Sequence, residues 1–176
     1  MNYHTSLLED TIKNIYFQLN IYTPQQLDML KISDLLKIPV HFEEISSRTY
    51  KGEIIIDSRL SPEKQWEDFG HELCHILLQY GNQILNLNTL FLQYQEWKAN
   101  NFALHFCIPT FMLLKYEIAT INEGIPIVKN NFNVTQEIAK RKLLHFRNKL
   151  EIAKSQQQLN TYFQKNFFPK INPTKK

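Results

Sequence analysis

The stretch that decides the fold is Trp66-Glu67-Asp68-Phe69-Gly70-His71-Glu72-Leu73-Cys74-His75-Ile76-Leu77-Leu78, which contains an H-E-x-x-H motif. Each residue of an α-helix turns by about 100°, so His71 and His75 lie about 40° apart on one face and can bind one tetrahedral metal ion. Glu72 projects at the edge of that face. A carboxylate there can accept a proton from a metal-bound water, whose pKa zinc lowers to about 7. The stretch therefore predicts a helical zinc site with an adjacent catalytic base.

The residues around the motif predict which face of this helix is buried. Large apolar residues form one stripe, and polar residues that include the motif form the opposite one. The apolar stripe consists of Trp66, Phe69, Leu73, Ile76, Leu77 and Tyr80. A solvated helix face would show the same division, but such faces are usually rich in Lys and Glu rather than in His pairs. The pattern favours a metal-binding face that looks away from the core.

A second helix, predicted from Thr89 to His105, supplies a candidate third ligand. Glu96 is the only charged residue on a stripe that we expect to be buried, formed with Leu92, Ala99, Ala103 and Phe106. A buried carboxylate needs a positive partner, and a metal ion held by the two histidines would provide one. Asn100, one turn after Glu96, is placed to orient an imidazole ligand through its second nitrogen. The alternative is an ion pair between Glu96 and a lysine or arginine.

Peptide-bond cleavage also requires a group that stabilises the oxyanion formed in the transition state. Three side chains near the predicted metal site in the sequence could do so. They are Tyr80, Tyr94 and His105, and the sequence does not rank them.

The segments before the motif predict a helical scaffold and then a small sheet. Helical spacing of apolar residues predicts a helix from Thr5 to Leu19 with Thr5 as its N-cap, and a second helical stretch runs from Thr23-Pro24 to before Ile38-Pro39. Extended segments at residues 39–44, 48–50 and 53–57 then predict an antiparallel sheet of about three strands. An exposed edge of this sheet near the metal would let an extended substrate add by backbone hydrogen bonds, although an ordinary edge strand would look the same.

The segments after the second helix predict further helices and a basic C-terminus. We expect a helix from Thr110 to Thr120 and a long helix that begins after Thr135. From Val128 onward, eleven Lys or Arg stand against two Glu, which gives +9 for this part and −6 for the part before it. Such segregation suggests contact with a polyanion or an acidic protein, although basic tails are often only solubilising. Two helices around Asn131 to Thr135 could imitate a helix-turn-helix, so direct DNA contact is a minor alternative.

Length and composition predict one domain with a C-terminal subdomain. We expect a metallopeptidase core at residues 1–127, a basic helical subdomain packed on it at residues 128–156, and a partly disordered basic tail at residues 157–176. No apolar run approaches the roughly 18 to 20 residues of a membrane span, and the N-terminus lacks the features of a signal peptide. We therefore expect a cytoplasmic protein without membrane contact, in which Cys74 and Cys107 are reduced.

Two linked motifs resemble those of the ImmA/IrrE family of metallopeptidases. The stretch from Phe69 to Leu77 resembles the family's F-x-H-E-L-G-H-x-L, and Glu96-Trp97-Lys98-Ala99-Asn100-Asn101-Phe102-Ala103 with Ile108-Pro109 resembles its E-x-x-A-N-x-F-A and a following apolar-Pro pair. The similarity extends from about Thr23 to Leu150. Cys74 replaces the usual Gly, and Phe106-Cys107 replace two aliphatic residues, which affects packing more than chemistry.

The resemblance implies an α+β protein with a small zincin-like fold, mostly helical, whose short antiparallel sheet lies next to the motif helix. It implies one Zn²⁺ ion bound by His71, His75 and Glu96, with Glu72 as the catalytic base. Family members commonly cleave helix-turn-helix repressors of prophages and integrative elements and so relieve repression. The sequence thus predicts a zinc endopeptidase with such a repressor as substrate. The alternative is a non-hydrolytic zinc protein that binds a repressor or DNA through its basic C-terminal helix.

Overall fold

The computed structural model describes residues 3–78 and 89–167, and helices predominate in these ranges. The helices are α1 (Leu7–Gln18), α2 (Met29–Leu36), α3 (Pro62–Leu78), α4 (Thr89–Cys107), α5 (Thr110–Leu113), α6 (Ile121–Phe132) and α7 (Gln136–Phe167), with a 3-10 turn at Pro24–Gln26. The strands are β1 (Val40–Glu43), β2 (Arg48–Tyr50) and β3 (Glu53–Asp57). The predicted α+β class is confirmed. Within the described ranges, no helix is both long and apolar enough to cross a membrane.

The chain forms two compact units that divide at Leu143 and Leu144. Residues 5–143 make up the first unit, which contains the sheet and the H-E-x-x-H helix. Among the described residues, the second unit comprises residues 3–4 and 144–167. Within it, Tyr3 stacks on Phe146 with ring centroids 4.8 Å apart. The predicted boundaries at residues 127/128 and 156/157 stay predictions. Helix α7 continues past the second of these to Phe167, and the tail beyond lies outside the described residues.

The sheet is mixed rather than antiparallel, and its strand order is β1-β3-β2. Strands β2 and β3 form an antiparallel hairpin across Lys51 and Gly52, both with positive φ, whereas β1 pairs with β3 in parallel. The prediction of an antiparallel sheet is therefore wrong for β1. Strand β3 is the most apolar of the three, and Ile54 and Ile56 are fully buried. Strand β3 takes the central position in the sheet, with β2 on one side and β1 on the other.

Three predicted helix boundaries are corrected by side-chain caps. Helix α1 begins after Ser6, not Thr5, because Ser6 and Glu9 form a reciprocal capping box. The second stretch is a 3-10 turn followed by α2, whose N-cap is Asp28. The predicted helix from Thr110 to Thr120 ends at Leu113, and Thr120 instead caps a new helix by accepting the Glu123 backbone N–H. The N-caps Ser6, Asp28 and Thr120 therefore show where helices begin, which the spacing of apolar residues did not.

Helices α3 and α4 approach closely because small residues face each other. A Cβ atom at Gly70 would lie 3.0 Å from the Cys107 Sγ and 3.4 Å from the Ala103 Cα. The Cys107 thiol donates a hydrogen bond to the Trp66 carbonyl oxygen at 3.4 Å. Trp66 and Phe69 of α3 pack on Phe106 of α4, with ring centroids 5.5 and 6.2 Å apart. This contact fixes α4 beside the motif.

Replacing Gly70 with Val should push α3 and α4 apart, because the added side chain would overlap Cys107 and the α4 backbone. We expect the free energy of unfolding to fall by about 1–3 kcal/mol in urea denaturation. Gly70→Ala is the graded control and should lose less. A valine variant as stable as the wild type would contradict the close packing described above.

Candidate metal centre

The corner between β3 and α3 fixes the start of the motif helix. The Gln65 side-chain amide donates to the carbonyl oxygens of Asp57, Ser58 and Leu60 at 3.1–3.3 Å. The Arg59 guanidinium donates to both carboxylate oxygens of Asp57 and lowers the pKa of that carboxyl to about 2, so it stays ionised. Ser61 accepts the Lys64 backbone N–H at 3.4 Å, and the helix starts at Pro62.

Three side chains converge on one point between α3 and α4. The Nε2 atoms of His71 and His75 are 3.1 Å apart, and carboxylate oxygens of Glu96 lie 3.2 Å from the first and 3.6 Å from the second. Ligands of a tetrahedral zinc ion at about 2.05 Å would be about 3.3 Å from one another. The separations fit that geometry. Two imidazoles and a carboxylate are also the donor set of a catalytic zinc site with one open position.

The hydrogen bonding of His71 leaves the correct nitrogen for a metal. Its Nδ1 lies 3.1 Å from the Asn100 side-chain oxygen, which can only accept, so Nδ1 carries the proton and Nε2 offers a lone pair. Burial lowers the pKa of His71, and the neighbouring His75 lowers it further. A metal requires neutral imidazoles, so these effects favour binding. The structure brings His71, His75, Glu96 and Asn100 together as the sequence analysis expected.

Glu96 reaches this point from an exposed part of α4, which corrects the expected buried stripe. The Glu96 side chain is 57% exposed and Leu92 is 42% exposed, and the buried part of this stripe begins only at Ala99. Glu96 is therefore not an uncompensated buried carboxylate, contrary to the prediction. The described residues place no Lys or Arg within ion-pair distance of Glu96, and its recorded pairs are with the two histidines. Glu96 is a candidate ligand because its carboxylate oxygens lie next to the Nε2 atoms of both histidines, and not because it is buried.

Glu72 lies beside the cluster in a buried position at strand β2. It is 8% exposed, and burial, with smaller contributions from Asp68 and Glu96, raises its pKa to about 7. The Thr49 backbone N–H and the Arg48 charge act in the opposite direction. This pKa is that of the metal-free protein, because a cation nearby would favour the carboxylate. Its position beside the cluster suits a general base for a metal-bound water.

The sequence did not reveal the approach of β2 to Glu72, because a backbone N–H leaves no trace in residue type. Of the three oxyanion candidates, Tyr94 and His105 lie within the described residues. Tyr80 lies outside the described residues. Tyr94 is 54% exposed and stacks on Trp97, about 200° around α4 from Glu96. His105 is buried nine residues beyond Glu96, about 13.5 Å along the helix, and its Nδ1 is 2.7 Å from the Lys142 Nζ. Neither Tyr94 nor His105 joins the cluster.

The raised pKa of Glu72 predicts a pH-dependent cost in the metal-free protein. The protonated carboxyl is favoured by folding, so its contribution is fully present below about pH 4.5 and is lost as the pH rises through 7. Glu72→Gln removes the ionisable carboxyl group, so the variant does not lose this stability as the pH rises. The metal-free variant should be more stable than metal-free wild type by roughly 2–3 kcal/mol at pH 8, and equally stable near pH 4.

Urea denaturation at both pH values, in the presence of a chelator, measures this difference. Glu117→Gln, at an exposed glutamate, is the control and should be about as stable as the wild type. Equal stabilities of wild type and Glu72→Gln at pH 8 would show that burial of the Glu72 carboxylate carries no cost.

Comparison with known proteins identifies the family to which the chain belongs. Residues 31–144 match the family model Peptidase M78, the IrrE N-terminal-like domain. The chain is 43% identical over 148 residues to the "Phage-like element PBSX protein XkdA" of Bacillus subtilis (strain 168), which covers 81% of the chain and 74% of that relative. It is 36% identical over 155 residues to the "Uncharacterized protein YqaB" of the same organism, covering 85% and 90%. The match confirms the resemblance seen in the two motifs, and the chain belongs to the M78 family of peptidases.

Proposed function

We propose that the chain is a zinc-dependent endopeptidase of the cytoplasm, with His71, His75 and Glu96 as ligands of one zinc ion and Glu72 as the general base. The convergence of three ligand atoms within 4.8 Å, directly beside a buried carboxyl group, carries the proposal. Membership of a peptidase family supports it. Other divalent metals bind such donors, but two imidazoles and one carboxylate with an open position favour zinc.

Each residue of the site has a separate role in peptide-bond hydrolysis. A bound zinc ion would supply a polarised scissile carbonyl and a water of lowered pKa. Glu72 accepts the proton of the attacking water and then delivers it to the leaving amine. Asn100 fixes the orientation of His71 through Nδ1. Strand β2 is an edge strand, so the substrate backbone can add to it in extended form, next to Glu72.

We infer that the substrate is a helix-turn-helix repressor of a prophage or integrative element. Two observations support this choice. The resemblance of both motifs is to a family whose members cleave such repressors, and one relative is named for a phage-like element. Cleavage would separate the repressor's DNA-binding part from the rest and relieve repression.

The ligand assignment predicts a graded loss of zinc. Wild type should bind one zinc ion per chain, and His71→Ala, His75→Ala and Glu96→Ala should each weaken binding by more than about a hundredfold, while Asn100→Ala should cost about tenfold. Metal analysis after dialysis and competition with a chromogenic chelator measure these effects. His41→Ala, an exposed histidine paired with Glu53, is the matched control. Full zinc retention by Glu96→Ala would remove Glu96 from the ligand set.

The role of Glu72 predicts that Glu72→Gln keeps its zinc but cleaves about 10²- to 10⁴-fold more slowly. The test incubates each zinc-loaded protein with the repressor encoded nearest to its gene and follows the products by mass spectrometry. Cleavage by the variant at the wild-type rate would contradict the assigned base.

The alternative of a non-hydrolytic binding protein draws on one observation. The part of α7 beyond Leu143 carries Arg147, Lys149, Lys154 and Lys165 against Glu151 within the described residues. Such a helix can bind an acidic protein or DNA. If wild type and Glu72→Gln both bind zinc and the repressor, and neither cuts it, this alternative replaces the peptidase. Salt-dependent DNA binding by the isolated protein would then identify DNA as the partner.

A further inference from the structure

Four buried polar side chains join the first part of α7 to three other helices of the same unit. They are Glu9 on α1, His105 on α4, Thr110 on α5 and Lys142 on α7, and each is at most 4% exposed. All four belong to the unit formed by residues 5–143, and none is a candidate metal ligand. We call these four residues the buried cluster.

The hydrogen bonds of the buried cluster define where its protons lie. The Lys142 Nζ lies 2.9 Å from the Thr110 Oγ1 and 2.7 Å from the His105 Nδ1. The Thr110 hydroxyl donates its proton to the Glu9 Oε1 at 2.6 Å, so it accepts from Lys142. An ammonium group has no lone pair, so His105 accepts through Nδ1 and carries its own proton on Nε2. The His105 ring is therefore neutral while Lys142 is charged.

The carboxylate of Glu9 balances the charge of Lys142. Its Oε2 accepts from the backbone N–H and the hydroxyl of Ser6 at 2.7 and 2.9 Å, and its Oε1 accepts from Thr110. A carboxyl group that only accepts is ionised. The buried cluster thus contains one positive charge, one negative charge and a neutral imidazole, which is the condition under which buried ions are tolerated.

A proton added to His105 would break this arrangement. It would occupy the lone pair of Nδ1 and place a second positive charge beside the Lys142 ammonium, in a site that solvent does not reach. The Glu9 Oε1 lies 3.6 Å from Nδ1, but it is already bonded to Thr110. A solvent-exposed histidine, by contrast, takes up a proton below about pH 6.5. Acid therefore favours a state in which Lys142 has moved away from His105.

The neighbouring titratable groups leave this balance unchanged. Tyr16 of α1 donates its hydroxyl to the carbonyl oxygen of the residue after His105, and burial raises its pKa well above the ordinary value. Burial also raises the pKa of Cys107. Both groups are therefore neutral at and below neutral pH. On α7, the two basic residues before Lys142 are exposed, and His145 follows about one turn after it.

Lys142 lies at the end of the part of α7 that belongs to the first unit. Residues 136–143 are in that unit, and the division follows Leu143. The other end of this stretch is fixed separately, because Glu67 accepts the Thr135 backbone N–H. We propose that the buried cluster is an acid-sensitive switch, which holds this end of residues 136–143 in place at neutral pH and releases it when His105 takes up a proton. The switch does not depend on the proposed function.

The protonation of His105 sets the size and the sign of the effect. Neutral His105 supports the closed state fully above about pH 6.5, and this support is lost as the pH falls below that value. If the released His105 has an ordinary pKa of about 6.5, the opening of residues 136–143 should be about tenfold more favourable at about pH 5.5 than at about pH 7.5.

Hydrogen exchange followed by mass spectrometry measures this opening in the full-length, metal-free protein. The wild type is compared with His105→Asn, whose side-chain oxygen can stand where Nδ1 stands and does not titrate. The ratio of the two exchange rates at one pH cancels the intrinsic rates and the titration of the other histidines. For the peptide that covers residues 136–143, this ratio should rise about tenfold between about pH 7.5 and about pH 5.5.

Lys142→Met tests whether the ammonium causes the effect. Without that charge, a protonated His105 can pair with Glu9, so the same ratio measured in the Lys142→Met background should not rise in acid. His41→Asn, at an exposed histidine of β1, is the control and should leave the exchange of this peptide unchanged.

The nitrogen NMR spectrum of the His105 ring tests the switch in the wild type, without any variant. The closed state should show a neutral ring with its proton on Nε2 at about pH 7.5. A proton on Nδ1, or an imidazolium at that pH, would overturn the switch.

Three exchange results would also overturn the proposal. The first is a ratio that does not depend on pH, and the second is a rise that persists in the Lys142→Met background. The third is an acid-induced increase of the ratio that is equally large for peptides of α3, because it would show global unfolding instead of the release of residues 136–143.

Discussion

The close contact of α3 with α4 is the constraint on which the candidate site depends. Both helices are needed for the proposed metal centre, because two of the candidate ligands lie on α3 and the third on α4. Gly70 and Ala103 let the backbones approach, while Trp66, Phe69 and Phe106 fill the space on either side. Close-packed interiors are hardly compressible, so such a contact leaves little freedom for one helix to shift against the other. The same contact therefore stabilises the fold and sets the distance between Glu96 and the histidines.

Among the described residues, the buried charged side chains of Glu9, Glu67 and Lys142 have hydrogen-bond or ion-pair partners. Glu67 accepts the Thr135 backbone N–H at 2.7 Å and pairs with Lys64, so it joins α3 to the segment before α7. In the core, the Lys142 Nζ lies 2.9 Å from the Thr110 hydroxyl, which donates to Glu9 at 2.6 Å. The buried Lys142 ammonium and the buried Glu9 carboxylate thus both have hydrogen-bond partners within the protein. Glu72 differs from these residues, because burial disfavours its charged form and raises its pKa. Side chains with strongly shifted pKa values are typical of functional sites.

Local geometry explains how much of the site the sequence could predict. His71, Glu72 and His75 are placed by one helical turn, and Asn100 by its spacing from Glu96, so their arrangement follows from helix periodicity alone. The burial of Glu96 was predicted wrongly because it depends on where α4 leaves the core, which periodicity does not encode. The parallel pairing of β1 and the core position of His105 depend on contacts between distant segments. The approach of β2 to Glu72 involves a backbone group and carries no signature in the sequence.

The zinc K-edge X-ray absorption spectrum of the metal-loaded protein tests the proposed ligand set most directly. Ligation by His71, His75, Glu96 and a water predicts four light-atom neighbours at about 2.0–2.1 Å, with the outer-shell scattering of two imidazoles. Glu96→Ala should keep the two imidazoles and replace the carboxylate oxygen by solvent. A sulfur neighbour at about 2.3 Å from Cys74 or Cys107, or three imidazoles, would contradict the ligand set that α3 and α4 bring together.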